Sequence, residues 1–215
     1  MKVLVFDTET TGLPTSKNPS ITETDKWPYI VQISWILYDT DERAPIEFVD
    51  HIINCDVDIP EESTKIHGIS KRRASLCGIP ITIAMDDFDD ALQRADLVVA
   101  HNLSFDKRVY MVEAIRRNRK QYFTINGIRK PEYCTMKSNK ERCAIQITNA
   151  KGNTYIKYPS LSELYEHIFE CKPKGTHNSM ADVLICLRCY IKLEYNYDII
   201  KTHSKIYRLF DLYCS

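Results

Sequence analysis

Residues 3–13 read VLVFDTETTGL. Four apolar residues, Val3 to Phe6, run unbroken, and two carboxylates, Asp7 and Glu9, follow with one threonine between them. An unbroken apolar run of this kind predicts a central strand buried on both faces. Side chains at i and i+2 of a strand point to the same side, so Asp7 and Glu9 converge at the strand's end. Two unpaired carboxylates this close repel each other and raise each other's pKa. A hard divalent cation relieves that repulsion by taking oxygen ligands from both. A lone D-x-E is short and common, however, and a polar strand end facing water reads the same way.

The strand opens a chain of 215 residues, the size of one ordinary domain with room for a small appendage. Its residues are 44% hydrophobic and 27% charged, which allows a sizeable core. No apolar stretch reaches the ~18 residues that a membrane span needs. MKVLVFD meets an acid almost at once and has no small-residue cleavage site, so an intracellular protein, cytoplasmic or nuclear, is expected. The eight cysteines would then stay thiols in a reducing compartment. Cys186 and Cys189 have C-x-x-C spacing but lie in the helical pattern DVLICLRCYI, which favours apolar packing over zinc. The net charge is zero, whereas proteins that only cling to phosphates are usually basic. Metal-holding acids would subtract from the total. The cations are bunched at Lys71-Arg72-Arg73, at Arg116-Arg117 with Arg119-Lys120, and at Lys172 with Lys174. Any one bunch is more often a solvated face than a binding site.

Further strands are expected in YIVQISWILYD (29–39), EFVDHIINC (47–55), LVVAHN (97–102) and PEYCTM (131–136). Residues 14–28 read as a long polar loop, 59–74 as a loop with short helical turns, and 143–159 as a hairpin. Helices are expected over 80–95, 104–118, 160–169, 178–194 and 198–213. Ser160 and Glu163 form a capping-box pattern, a structural feature. The order predicts an α/β domain with a mixed sheet flanked by helices. Ligands in such sheets gather at the carboxyl ends of the strands. Asp7 ends the first strand and LVVAHN leads into Asp106, so two distant acids can meet at one edge.

Asp106 falls in the first turn of its helix, where an acid also simply complements the helix dipole. In THNSMAD, His177 and Asp182 are five apart, about 140° around a regular helix. They share a site only if His177 precedes the helix. Gly175 and the capping candidates Asn178 and Ser179 suit that arrangement.

Together FDTETTGL, HNLSFD and HNSMAD resemble, in order and context, the three motifs of the DEDDh class of DnaQ-like 3′–5′ exonucleases. KIHGIS (65–70), YCTM (133–136) and SLSELYEHIF (160–169) also look like landmarks of that family. The resemblance spans residues 1–195 as a DEDDh exonuclease domain, with 196–215 as a C-terminal helical tail. It implies an RNase H-like mixed five-stranded sheet flanked by helices and a metal-dependent 3′–5′ exonuclease that releases nucleoside 5′-monophosphates. It implies two divalent ions, Mg²⁺ or Mn²⁺: Asp7, Glu9 and Asp182 would hold the one that binds water, and Asp7 would bridge to a second supported by Asp106. His177 would be the general base, a task that the ordinary histidine pKa of about 6.5 suits. Backbone amides near Thr10, Thr11 and Gly12 would meet the terminal nucleotide. Leu13, Ile66, His67 and Phe105 would pack or stack on bases, although a loop histidine such as His67 need not touch substrate. The basic bunches would lead in a strand. The partner implied is nucleic acid with a free 3′ end, single-stranded or frayed, with DNA favoured in a proofreading or repair role and a polymerase as a further partner. Two rivals stand beside this: an RNA 3′-end trimming enzyme of the same fold, and a non-catalytic nucleic-acid-binding or polymerase-tethering module. Every one of the five signature positions is filled, which disfavours the second rival.

Overall fold

The computed structural model describes residues 1–214, so Ser215 of the expected tail lies outside the described residues. The first strand, β1 (Lys2–Thr10), alternates as a doubly buried strand must. It sends Leu4 and Phe6 into one hydrophobic cluster and Val3 and Val5 into another on the opposite face. Its neighbours follow in chain order: β2 (Ile30–Asp39) and β3 (Ala44–Ile52). Two short helices, α1 (Glu61–His67) and α2 (Lys71–Cys77), precede the longer α3 (Ile81–Arg94). Then come β4 (Leu97–Ala100), α4 (Leu103–Arg116) and a small hairpin of β5 (Thr124–Ile125) and β6 (Ile128–Arg129). β7 (Glu132–Cys134) runs directly into α5 (Thr135–Ser138) and α6 (Lys140–Cys143). A second hairpin, β8 (Gln146–Thr148) with β9 (Thr154–Ile156), leads to α7 (Leu161–Phe169) and α8 (Ser179–Tyr195). The tail forms α9 (Ile199–Thr202) and α10 (Ser204–Cys214).

The main sheet has five strands in the order β3-β2-β1-β4-β7. β1 is antiparallel to β2 but parallel to β4, and β4 is parallel to β7. This is the expected mixed five-stranded α/β sheet of RNase H-like architecture. The carboxyl ends of β1, β4 and β7 therefore share one edge. One face is covered by α3 and α4, with Phe6, Trp35, Phe88, Tyr110 and Phe123 at its centre. The other is covered by α8, whose Cys186 and Cys189 are buried among apolar side chains. No helix among the described residues is long and apolar enough to cross a membrane.

Local signals account for some boundaries. Ser160 Oγ accepts from Glu163 N (3.2 Å) while Glu163 Oε2 accepts from Ser160 N (2.8 Å), the reciprocal cap expected of α7. Three details differ from expectation. The strand expected over 131–136 stops at Cys134, because the buried Thr135 hydroxyl is tied to His101 Nδ1 (3.0 Å) and turns the chain into α5. The β5–β6 hairpin is an addition to the expected elements; its Asn126-Gly127, both at positive φ, is the dipeptide that a two-residue hairpin favours. The tail is two helices instead of one. His203 is extended, and its Nδ1 accepts from Ile206 N (3.4 Å), starting α10 afresh.

The tail is joined to the core by a buried cation. Arg188 of α8 forms a two-pronged pair with Asp198, Nε to Oδ1 at 2.8 Å and Nη2 to Oδ2 at 2.7 Å. The same guanidinium donates to the Tyr165 hydroxyl and lies 4.1 Å from the Phe169 ring centroid and 5.1 Å from that of Phe210. Removing one member of a buried pair strands the other charge at a cost of roughly 3–5 kcal/mol. Asp198→Ala is expected to lose about 3 kcal/mol in urea unfolding, since both side chains keep slight solvent contact. An unchanged midpoint would show that the pair does not anchor the tail.

Candidate active site

The alternation of β1 also sorts the polar residues beyond Phe6. Asp7 and Glu9 continue the line of Val3 and Val5 toward α8, and Thr8 continues the line of Leu4 and Phe6 toward α4. The first turn of α8 supplies Asp182. One carboxylate oxygen from each of Asp7, Glu9 and Asp182 lies within 4.8 Å of the others. Asp106 approaches from the first turn of α4. It is only 3% exposed, and its Oδ1 accepts from Thr8 N (3.1 Å) and Thr8 Oγ1 (2.8 Å). Thr8 thus holds Asp106 beside the cluster but outside the three-residue set.

No ion pair among the described residues joins a lysine or arginine to any of these four acids. Burial, followed by repulsion from Asp106, Asp182 and Glu9, pushes the Asp7 carboxyl well above its usual range. Burial and the charges of Asp182 and Asp106 push Glu9 up to about 8. Burial also raises Asp106, against the bonds from Thr8, and raises Asp182, against the His177 amide. An all-oxygen donor set with uncompensated negative charge fits a hard divalent cation.

His177 is exposed and sits before α8 in the left-handed region, at φ 70°. Its amide donates to Asp182 Oδ2 (3.2 Å), and Asn178 Oδ1 caps α8 by accepting from Ala181 N (3.2 Å). Two residues earlier, Gly175 has φ 71°, and a Cβ there would lie 2.1 Å from the Tyr213 carbonyl oxygen. The His177 loop therefore rests on the end of α10.

A half-buried hydrogen-bonded chain that the sequence does not announce supports the same corner. Ser179 Oγ donates to the Asp7 carbonyl (2.8 Å), and Ser179 N donates to Gln32 Oε1 (3.3 Å). Gln32 Nε2 and Ser34 Oγ both donate to Asp50 Oδ1, at 2.7 and 2.8 Å, and Tyr213 OH donates to Asp50 Oδ2 at 3.4 Å. The signal that could have revealed it is Gln32 and Ser34, two polar residues at i and i+2 in an otherwise apolar strand. His101 is a second residue without a sequence signal of its role. Its Nε2 donates to the Pro159 carbonyl (3.1 Å), and burial lowers its pKa to about 4, so it is a neutral strut.

The expected substrate contacts divide. Leu13 is 79% exposed, Ile66 is 58% exposed, and Phe105 is half-buried. Thr10 is buried and its hydroxyl donates to the Gly12 carbonyl (2.6 Å). The Thr11 amide, expected to face a nucleotide, donates to Tyr29 O (2.9 Å), and its hydroxyl accepts from Tyr29 N (3.0 Å). Its carbonyl accepts from Ser63 Oγ (3.0 Å), so Thr11 joins β1 to its surroundings instead. Gly12 follows at φ 147°. His67 is only 6% exposed; its Nδ1 accepts from Ile69 N (3.1 Å) and its Nε2 is buried without a hydrogen-bond partner, while Ile66 carries the exposed apolar surface.

Several of the bunched cations are engaged within the fold, whereas Arg72, Arg73 and Lys120 are exposed. Arg116 holds the carbonyls of Thr24 (2.6 Å), Trp27 (2.7 Å) and Pro28 (3.0 Å), which pins loop 14–28. Arg117 pairs with the buried Glu113 and Arg119 with Asp86. Lys71 donates to the carbonyls of Cys55 and Val57. Lys172 and Lys174 are exposed.

Residues 4–190 match the family model RNase_T, described as Exonuclease. No curated protein matches the chain. Solved structures share its fold. Exonuclease I from Methylocaldum szegediense is similar over 98% of this chain and 42% of that one, with a TM-score of 0.66 and 18% identity. E. coli Exonuclease I in complex with a dT13 oligonucleotide is similar over 91% of this chain and 42% of that one, with a TM-score of 0.67 and 16% identity. The same enzyme with a dA16 oligonucleotide gives 0.64 and 16% over 98% and 42%. The chain thus spans less than half the length of these structures, and at such identity the likeness is one of fold.

An acid whose pKa is higher in the folded than in the unfolded chain favours folding at low pH. That contribution is lost as pH rises, for Glu9 from about 4.5 through about 8. In EDTA the Tm is expected to fall between pH 5 and pH 8, and Mg²⁺ or Mn²⁺ is expected to raise it more at pH 8, where the carboxylates are charged. Equal metal-induced shifts at both pH values would contradict a carboxylate metal site.

Proposed function

Because this chain belongs to that exonuclease family, with its DnaQ-like catalytic fold, we propose that it is a metal-dependent 3′–5′ exonuclease acting on nucleic acid with a free 3′ end. The observation that carries this reading is the meeting of Asp7, Glu9 and Asp182 at the sheet edge, with oxygens within 4.8 Å of one another and no lysine or arginine among the described residues paired to them. Those three would hold one divalent ion, and Asp7 with Asp106 a second, Mg²⁺ or Mn²⁺ in each place. When bound, such ions offset phosphate charge and acidify a coordinated water.

The chain's own groups do the rest. Thr8 fixes the direction of Asp106, and the Ser179 hydroxyl fixes the Asp7 backbone. The His177 amide is held by Asp182, which leaves the exposed imidazole to accept the proton of the attacking water. The water oxygen bonds to phosphorus as the phosphorus–oxygen bond to the penultimate 3′ oxygen breaks; that oxygen takes a proton from solvent, and a nucleoside 5′-monophosphate leaves. Exposed Leu13 and Ile66, with Phe105, would pack against the terminal bases. DNA is favoured as substrate because the similar Exonuclease I structures hold dT13 and dA16. The name of the matching family, RNase_T, keeps RNA 3′-end trimming as the second reading.

A 5′-labelled strand is expected to shorten in a ladder with Mg²⁺ and to stay intact in EDTA. Matched DNA and RNA strands decide between the two readings by their relative kcat/KM. Shortening that persists in EDTA, or that starts from the 5′ end, would sink the proposal. Asp7→Asn should abolish turnover. His177→Ala should keep metal binding and slow turnover by roughly 10²–10⁴-fold, the usual contribution of a general base. If His177→Ala lost metal as Asp182→Ala does, His177 would be a ligand and not the base.

A further inference from the structure

Three cavities adjoin one another beside the candidate site. The first, of about 280 Å³, is lined by Thr11, Leu13, Trp27 and Tyr29 among others. The second, of about 360 Å³, shares Leu13 and Trp27 with it and adds Phe105 and Arg108. The third, of about 460 Å³, shares Ser104 and Arg108 with the second and reaches Arg129, Lys137 and Ser138. Shared walls make them one trough, running from the end of β1, past the start of α4, to the start of α5.

The chemistry of the trough changes along its length. Its first part is apolar, with exposed Leu13 and half-buried Tyr29 and Phe105 around the buried Trp27. Arg116 lies 3.7 Å from the Tyr29 ring centroid and Arg108 lies 4.7 Å from that of Trp27, so each guanidinium occupies one ring face. Its last part is cationic, with Lys107, Arg108, Arg129 and Lys137 facing the single carboxylate of Glu132. Lys107 is paired with Glu132, and Arg108 donates to the Pro19 carbonyl. Arg129 and Lys137 are exposed and have no ion pair among the described residues. In a chain of zero net charge this is a local surplus of positive charge next to hydroxyl donors. Exposed Leu13 and half-buried Phe105, followed by unpaired cations along one groove, suit a single strand, whose bases pack on apolar side chains and whose phosphates pair with cations.

We propose that this trough holds the single-stranded stretch upstream of the 3′-terminal nucleotide, with Arg129 and Lys137 on its phosphates. The assignment rests on the exonuclease reading for the direction of the strand, but binding can be measured without catalysis. The test is the double variant Arg129→Ala/Lys137→Ala. Fluorescence anisotropy with 5′-labelled dT12, in Ca²⁺ and over a range of salt, reads the trough. Hydrolysis of the p-nitrophenyl ester of thymidine 5′-monophosphate, which has no upstream nucleotide, reads the catalytic centre alone.

The variant should bind dT12 roughly three- to ten-fold more weakly, as expected for two exposed charge pairs. The slope of log affinity against log salt should flatten by about 1.4, or ~0.7 for each single-strand phosphate no longer neutralised. Ester turnover should not change. Unchanged dT12 affinity and slope would overturn the proposal, as would an equal drop on the ester, which would place the effect in the catalytic centre. A wild-type protein that leaves the ester intact, while substitution still weakens dT12 binding, would overturn the nuclease reading and uphold the trough.

Discussion

Four carboxylates crowd one edge of the sheet, buried or half-buried, with no lysine or arginine among the described residues paired to them, and the surrounding structure works against their repulsion. Desolvation opposes the ionised form of each, and neighbouring charges add to the penalty. Such a cluster persists only if the scaffold is held by other means. The two-sided burial of Val3 to Phe6 does this, because β1 cannot shift without exposing apolar side chains on both faces. The acids follow the same strand and have nowhere else to go.

The local compensation is specific. Asp106 and Asp182 each occupy the first turn of a long helix, where the positive end of the helix dipole partly offsets their charge. Thr8 gives Asp106 two donors and the His177 amide gives Asp182 one. Burial outweighs these donors, and all four carboxyls stay raised above their usual range. Asp7, Glu9 and Asp182 converge on the α8 side of β1, where a divalent cation would be drawn.

The candidate base stands on a different support. His177 is held in a left-handed conformation between the cap of α8 and the end of α10. Through Tyr213 and Asp50 the same helix reaches Gln32, Ser179 and the Asp7 backbone. The tail thus packs into the second core and touches the site indirectly, and the Arg188–Asp198 pair fixes where it starts.

How much of this was legible varies with the range of the interaction. Alternation in β1 and β2, the capping box at Ser160 and the order of the elements depend on neighbours a few residues apart, so the sequence by itself determined the sheet, its flanking helices and the convergence of Asp7 with Glu9. The three acidic motifs could be read as one site because parallel strands end at a common edge. Which amides and cations were already engaged could not be read. Thr11 N, His67 Nδ1, Arg116 and Lys71 have ordinary local sequence but are committed to partners within the fold, and only the tertiary structure decided that they brace it. The same holds for Gln32, Asp50 and Tyr213, whose chain of hydrogen bonds crosses three elements. Hydrogen bonds and ion pairs act over a few ångströms, and distances that short between residues far apart in the chain exist only once the chain has folded.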